Sequence, residues 1–173
     1  MPASGDTSGS YSQVGFSTNE KSRLITVVEN LKTTTGLPLP RFVSLRSDKV
    51  HMRTGPGVRY PIDWVYKRKN MPLEVVNEFE NWRKVRDFQG TVGWINSAML
   101  HNKRFLVVTG QTRTLRYDPD SKSDATARIE PGAIGKIIKC RADSGWCQVS
   151  FGKYGGWLRR VEFWGVYSEE SIK

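Results

Sequence analysis

At 173 residues the chain can form one ordinary domain or two small ones. Its 27 Lys and Arg against 17 Asp and Glu give a formal charge of +10, which draws anionic partners such as nucleic acid, anionic lipid or acidic cell-wall polymer. No stretch approaches the ~20 apolar residues of a membrane-spanning helix, and the N-terminus lacks the basic-then-apolar layout of an export signal, so the chain is either cytoplasmic or begins after a removed signal.

Residues 1–40 are expected to be a flexible segment and linker. The first nineteen are mostly Ser, Thr, Gly and Asn, too polar to offset the entropy of ordering. Within 18–32, Leu24, Val27, Val28 and Leu31 recur at helical spacing, and Ser17 with Glu20 could form a capping box, so a short helix is expected there. Thr33 to Pro40 reads as extended, because each Pro keeps the residue before it out of the helical region.

After Pro40 the chain changes to short β-patterned runs divided by Gly, Pro, Asn and Asp, the pattern of a sandwich or small barrel. Three landmarks occur twice in the same order. Met52-Arg53 ahead of a Gly/Pro turn is matched by Leu115-Arg116 ahead of Tyr117-Asp118-Pro119. Trp82-Arg83-Lys84-Val85 is matched by Trp146-Cys147-Gln148-Val149, and Gly93-Trp94-Ile95 by Gly156-Trp157-Leu158. The offset of 62–64 residues is that of one small domain, which places domains at 41–101 and 102–167 with a tail over 168–173. Side chains on a strand alternate between faces. Val85, Ile95 and Leu158 therefore point inward with Met52, Leu73 and Val75, leaving Trp82, Trp94 and Trp157 on the outer face.

These landmarks, with Gly36-Leu37-Pro38-Leu39-Pro40-Arg41-Phe42-Val43-Ser44 and Arg53-Thr54-Gly55-Pro56-Gly57, resemble the tandem bacterial SH3-like (SH3b) proteins exported by Gram-negative bacteria. The resemblance implies an all-β fold of two tandem SH3-like barrels and carries no well-established activity; no cofactor is expected. It also implies a periplasmic or exported location, with a cell-wall peptide or glycan or an envelope protein as partner. In eukaryotic SH3 domains a groove takes proline-rich peptides. Here Asn96 and Met99 stand where that groove has Pro and Tyr, and the second repeat has Arg159 and Glu162, which argues against proline-peptide recognition.

The only histidines are His51 and His101, with no acid at a telling spacing, so no catalytic set is expected. Cys140 and Cys147 flank a candidate two-residue turn at Asp143-Ser144 that would set them opposite each other on a hairpin. A disulfide is expected. Two reduced core thiols or half a metal site are the alternatives, and zinc is disfavoured because no third Cys or His is near. The candidate ligand-binding residues are Arg53, Arg59, Tyr60, Trp64, Tyr66, Trp82 and Trp94 in the first domain, and Arg116, Tyr117, Trp146 and Trp157 in the second. Aromatic faces stack on sugars, peptides or bases, while Arg supplies forked donors to carboxylates or phosphates. The competing reading is that the Trp residues only cover two small cores. Single-stranded nucleic acid, which basic aromatic barrels also bind, is the alternative ligand, and a protein-docking scaffold the alternative role. Acids diluting the basic residues disfavour nucleic acid.

Overall fold

The computed structural model describes residues 33–173, so the helix expected over 18–32 lies outside the described residues. Among the described residues, fourteen strands form two seven-stranded antiparallel sheets. The first holds β1 (Arg41–Leu45), β2 (Val50–Arg53), β3 (Ile62–Tyr66), β4 (Pro72–Phe79), β5 (Trp82–Arg86), β6 (Val92–Asn96) and β7 (Leu100–His101). The second holds β8 (Phe105–Val108), β9 (Arg113–Arg116), β10 (Ala125–Ile129), β11 (Ile134–Cys140), β12 (Trp146–Phe151), β13 (Tyr154–Arg159) and β14 (Phe163–Trp164). Neighbour order runs β3-β2-β6-β5-β4-β1-β7 in one and β10-β9-β13-β12-β11-β8-β14 in the other. The sequence repeat is thus a repeat of topology, strand for strand. It extends to a 3-10 turn before each last strand, Ser97–Met99 and Arg160–Glu162.

Alternation decides which side chains meet. On β5, Val85 is buried and pairs with Val75 and Gly93, while Trp82 and Lys84 face outward. Met52, Leu73, Val75, Val85 and Ile95 are all fully buried in one core; Leu115, Val149 and Leu158 anchor the other. Gly93 admits Met52 to that core, since a Cβ there would lie 2.5 Å from Met52 Cγ. Its counterpart Gly156 is held more tightly, because a Cβ would lie 2.5 Å from the Arg116 carbonyl oxygen.

The hairpins β4–β5 and β11–β12 carry a bulge at matching places, after Val75 and after Ile137. Beyond it, Glu78 faces Arg83 in the first repeat and Cys140 faces Cys147 in the second. The first position is bridged by an ion pair of 3.4 Å, which Arg41 joins at 2.5 Å. The second is bridged by a disulfide, with Cα atoms 4.5 Å apart. The connecting loop differs from the two-residue turn expected at Asp143-Ser144: the strands stop at Cys140 and Trp146, and a β-turn closes from Arg141 O to Ser144 N at 3.0 Å. Arg141 also pairs with Asp143, which stabilises the wider loop.

Both chain segments flanking the sheets are tied to them. Thr35 donates its backbone N–H (3.0 Å) and its hydroxyl (2.8 Å) to Glu78, and Leu39 packs on the first core. At the other end Ile172 exchanges two backbone hydrogen bonds with Cys140 at 2.8 and 2.9 Å, and Arg104 pairs with Glu170. The expected tail over 168–173 is therefore docked on the second sheet.

The two repeats also touch each other. Phe42 of β1 meets Trp164 edge-on, with centroids 4.8 Å apart, and Tyr167 at 4.7 Å. The Arg104 guanidinium lies 5.5 Å from the centroid of the Phe42 ring. Tyr167 donates its hydroxyl to Glu74 of β4 at 2.9 Å. Glu74 is also the partner of Arg86, so this buried carboxylate has an acceptor role in each repeat.

Candidate functional site

The outer-face Trp of β5 and of β12 each form one wall of a shallow concavity. In the first repeat Trp82 is joined by Lys49, His51 and Arg53 of the β2 arm, by Val58 of the β2–β3 loop, and by Asn96 and Met99 at the 3-10 turn; the space is about 200 Å³. In the second, Trp146 is joined by Thr112, Thr114 and Arg116, by Ser121, and by Arg159 and Glu162, around about 190 Å³. Each residue of the second set stands 63 positions after its counterpart, or 64 for the Trp pair. The same seven backbone positions therefore line a concavity twice.

The two sites differ in chemistry. The first combines Trp82, Val58 and Met99 with the cations Lys49, Arg53 and the neighbouring His51. In the second, Glu162 is buried and fastened by Arg159, which donates its backbone N–H to Oε2 (2.9 Å) and its side chain to Oε1 (3.1 Å). That pair consumes the polar groups at the position where the first repeat offers Met99 and Asn96. An apolar ligand finds Val58 and Met99 beside the Trp in the first site, and only polar or charged side chains beside it in the second.

The expected binding residues separate into groups. Trp82 and Arg53, and Trp146 and Arg116, line the repeated concavities. The two arginines are already engaged: Arg53 Nη1 donates to the carbonyls of Val58 (3.1 Å) and Tyr60 (2.8 Å), and Arg116 Nη1 to that of Ser123 (2.7 Å). Each fastens the loop after its own strand, seven residues on, so their first role is to shape the site. Trp94 and Trp157 lie half-buried beside these arginines, paired with Arg53 and Arg116 across the sheet. Tyr60 packs on Gly55, where a Cβ would lie 2.5 Å from its ring, and Arg59 stacks over it at 5.1 Å. These two build the loop. Trp64 is 54% exposed on edge strand β3, and Tyr117 is 73% exposed beyond β9.

Tyr66 is a correction. It is 4% exposed, because its register opposite Val50 turns it into the first core. Its hydroxyl donates to Asp87 Oδ2 at 3.0 Å, while Asp87 Oδ1 accepts from the N–H groups of Gln89 and Thr91. Burial, together with the Asp87 charge, pushes the phenol far above its ordinary range. Tyr66 is a core residue and not a ligand contact.

Lys49, His51, Val58 and Asn96 were not among the residues expected at a site. Only the comparison of Asn96 and Met99 with the eukaryotic groove pointed toward this place. Among the described residues no group of three or more His, Cys, Asp or Glu is arranged to hold a metal ion, and no helix is long and apolar enough to cross a membrane.

No curated protein matches the chain. Among solved structures, NlpC1 from Trichomonas vaginalis is similar over 77% of this chain and 48% of that one, at 11% identity and a TM-score of 0.34. An NlpC/P60 family protein from Bacillus cereus is similar over 76% and 58%, at 15% identity and a TM-score of 0.32. An NlpC/P60 endopeptidase from Photobacterium damselae subsp. piscicida is similar over 86% and 39%, at 15% and 0.33. The chain spans between 39% and 58% of the length of these three. The bacterial SH3 domain family matches residues 46–102 and again residues 110–165, one match on each sheet. The chain belongs to the bacterial SH3 domain family and carries that non-catalytic module twice.

Proposed function

We propose that the protein is a cell-envelope binding module that holds peptidoglycan, its stem peptides or an envelope protein in the first-repeat concavity around Trp82. The observation that carries this reading is the recurrence of one seven-position concavity in both repeats, with an outer-face Trp as its wall. Trp82 offers a stacking face for a sugar ring or a peptide plane, while Lys49 and His51 beside it suit the carboxylates of stem peptides. A periplasmic or exported location fits the Cys140–Cys147 disulfide, since such bonds persist in oxidising compartments. The second concavity, of similar size but lined by the Arg159–Glu162 pair in place of Asn96 and Met99, offers the same ligand fewer apolar contacts.

Sedimentation with purified peptidoglycan tests the reading. Wild-type protein should co-sediment, and Trp82→Ala should weaken retention about tenfold, equivalent to ~1.4 kcal/mol. Trp146→Ala should change it little. Failure of the wild type to sediment with peptidoglycan would discard the cell-wall ligand. Equal losses in the two Trp variants would discard the assignment to the first repeat.

A further inference from the structure

Trp82 occupies one side of β5; Arg83, the next residue, points to the other and lines a separate cavity of about 300 Å³. Its wall is assembled from Thr35 and Leu37 ahead of β1, Arg41 in β1, Arg46 just after it, and Leu100 and His101 in β7. An adjoining cleft shares Arg46 and His101 and adds Lys69 and Lys103. Five cations thus surround two adjoining clefts that share Arg46 and His101. Glu78 lies behind Arg41 and Arg83 with its side chain fully buried, and its oxygens are occupied by Arg41, Arg83 and Thr35. It neutralises one charge of the five.

Buried polar atoms in this wall also lack acceptors. Among the described residues, Nε and Nη1 of Arg41 and Nδ1 of His101 are buried without a hydrogen-bond partner. Such atoms in native proteins normally have a partner or mark a place where one binds. Burial, with the Arg46, Lys103 and Lys69 charges nearby, lowers the His101 pKa from its ordinary value. The fold does not demand this arrangement. The positions of Arg46, Arg83 and His101 carry Thr109, Cys147 and Trp164 in the second repeat.

We infer that this cleft, formed by Arg41, Arg46, Arg83 and His101, is a binding site for an oxyanion, either a carboxylate or a phosphate group. Leu37, Val43 and Leu100 in the same wall accommodate a short aliphatic chain attached to it. The site is independent of the Trp82 concavity, being reached from the opposite side of β5.

The Arg46→Gln variant supplies the control. The titration of His101 in the full chain is followed by NMR at constant ionic strength, alone, with inorganic phosphate, and with glutarate. A bound oxyanion favours the imidazolium, so the His101 midpoint should rise by about half a unit or more. Arg46→Gln should abolish the rise, Arg46→Lys should keep part of it, and Trp82→Ala should leave it intact. A response to phosphate alone identifies phosphate as the group; a response to glutarate alone identifies carboxylate. No response to either at tens of millimolar, or an undiminished response in Arg46→Gln, would overturn the inference.

Discussion

Phe42 is the side chain on which the two repeats meet, and Phe42→Ala measures how far they fold as one body. The ring is 7% exposed and is shared between Trp164 and Tyr167 of the second repeat, with Arg104 over it. Truncating a buried Phe costs about 3–5 kcal/mol, from lost transfer energy and the cavity left behind. A barrel of some sixty residues holds little stability in reserve, so a loss of this size should uncouple the repeats. Urea unfolding followed by Trp fluorescence can resolve this, because each repeat carries three of the six Trp. The wild type should unfold in one transition. Phe42→Ala should show a lower midpoint and two resolved steps, the first repeat losing more because β1 is its own strand. A single transition with its midpoint unmoved, or a loss below ~1 kcal/mol, would refute the idea that the contact couples the repeats.

The disulfide and the ion pair give two further tests. Thiol titration of unreduced, denatured protein should find no free cysteine, and reduction should cost about 2.5 kcal/mol for so short a loop; two free thiols would show that the bond does not form. Glu78 is lowered from the ordinary carboxylate range: burial works against ionisation, but the Thr35 N–H, the Arg41 guanidinium and the Thr35 hydroxyl outweigh it. Its ionised form therefore adds stability that is complete above the unfolded carboxyl range near pH 4.5 and disappears as pH falls through the lower folded value. Glu78→Gln should flatten that part of the stability curve between pH 5 and 2; an unchanged slope would remove Glu78 from the acid response.

Much of the scaffold was legible in the sequence because it depends on local periodicity. The odd spacing of Trp82 and Val85 on one strand decides which faces inward, and Val85 is indeed fully buried. Tyr66 escaped that logic because its environment depends on distant residues: Val50 sets its face and Asp87, just past another strand's end, accepts the hydrogen bond of its hydroxyl. Arg53 and Arg116 were recognisable as repeated, but a repeat does not say what the guanidinium holds. Loop carbonyls seven residues on are invisible until the turn is closed. The concavity was least legible, since Lys49, Val58, Trp82 and Met99 come from four separated segments with no spacing in common.

The repeat also separates what the fold requires from what each copy has been free to change. At the bulged hairpin the same pair of positions must be bridged, and one copy uses Glu78 with Arg83 while the other uses Cys140 with Cys147. The covalent bridge removes the need for a buried charge. In the second copy the counterpart of Arg41, Arg104, turns to Glu170 and so docks the C-terminal segment beside Cys140. In the first copy, keeping Glu78 ionised requires Arg41 and Arg83 to converge on it, which leaves an excess of positive charge around the Arg46 and His101 cleft. The anion site inferred there is thus a by-product of how the first copy is stapled. The same exchange runs through the concavities: where the second copy lines its own with the Arg159–Glu162 pair, the first keeps Met99 and Asn96 and is the more apolar of the two. The cation cleft and the more apolar concavity therefore both fall in the first repeat, while the second, bonded by its disulfide, packs on Phe42.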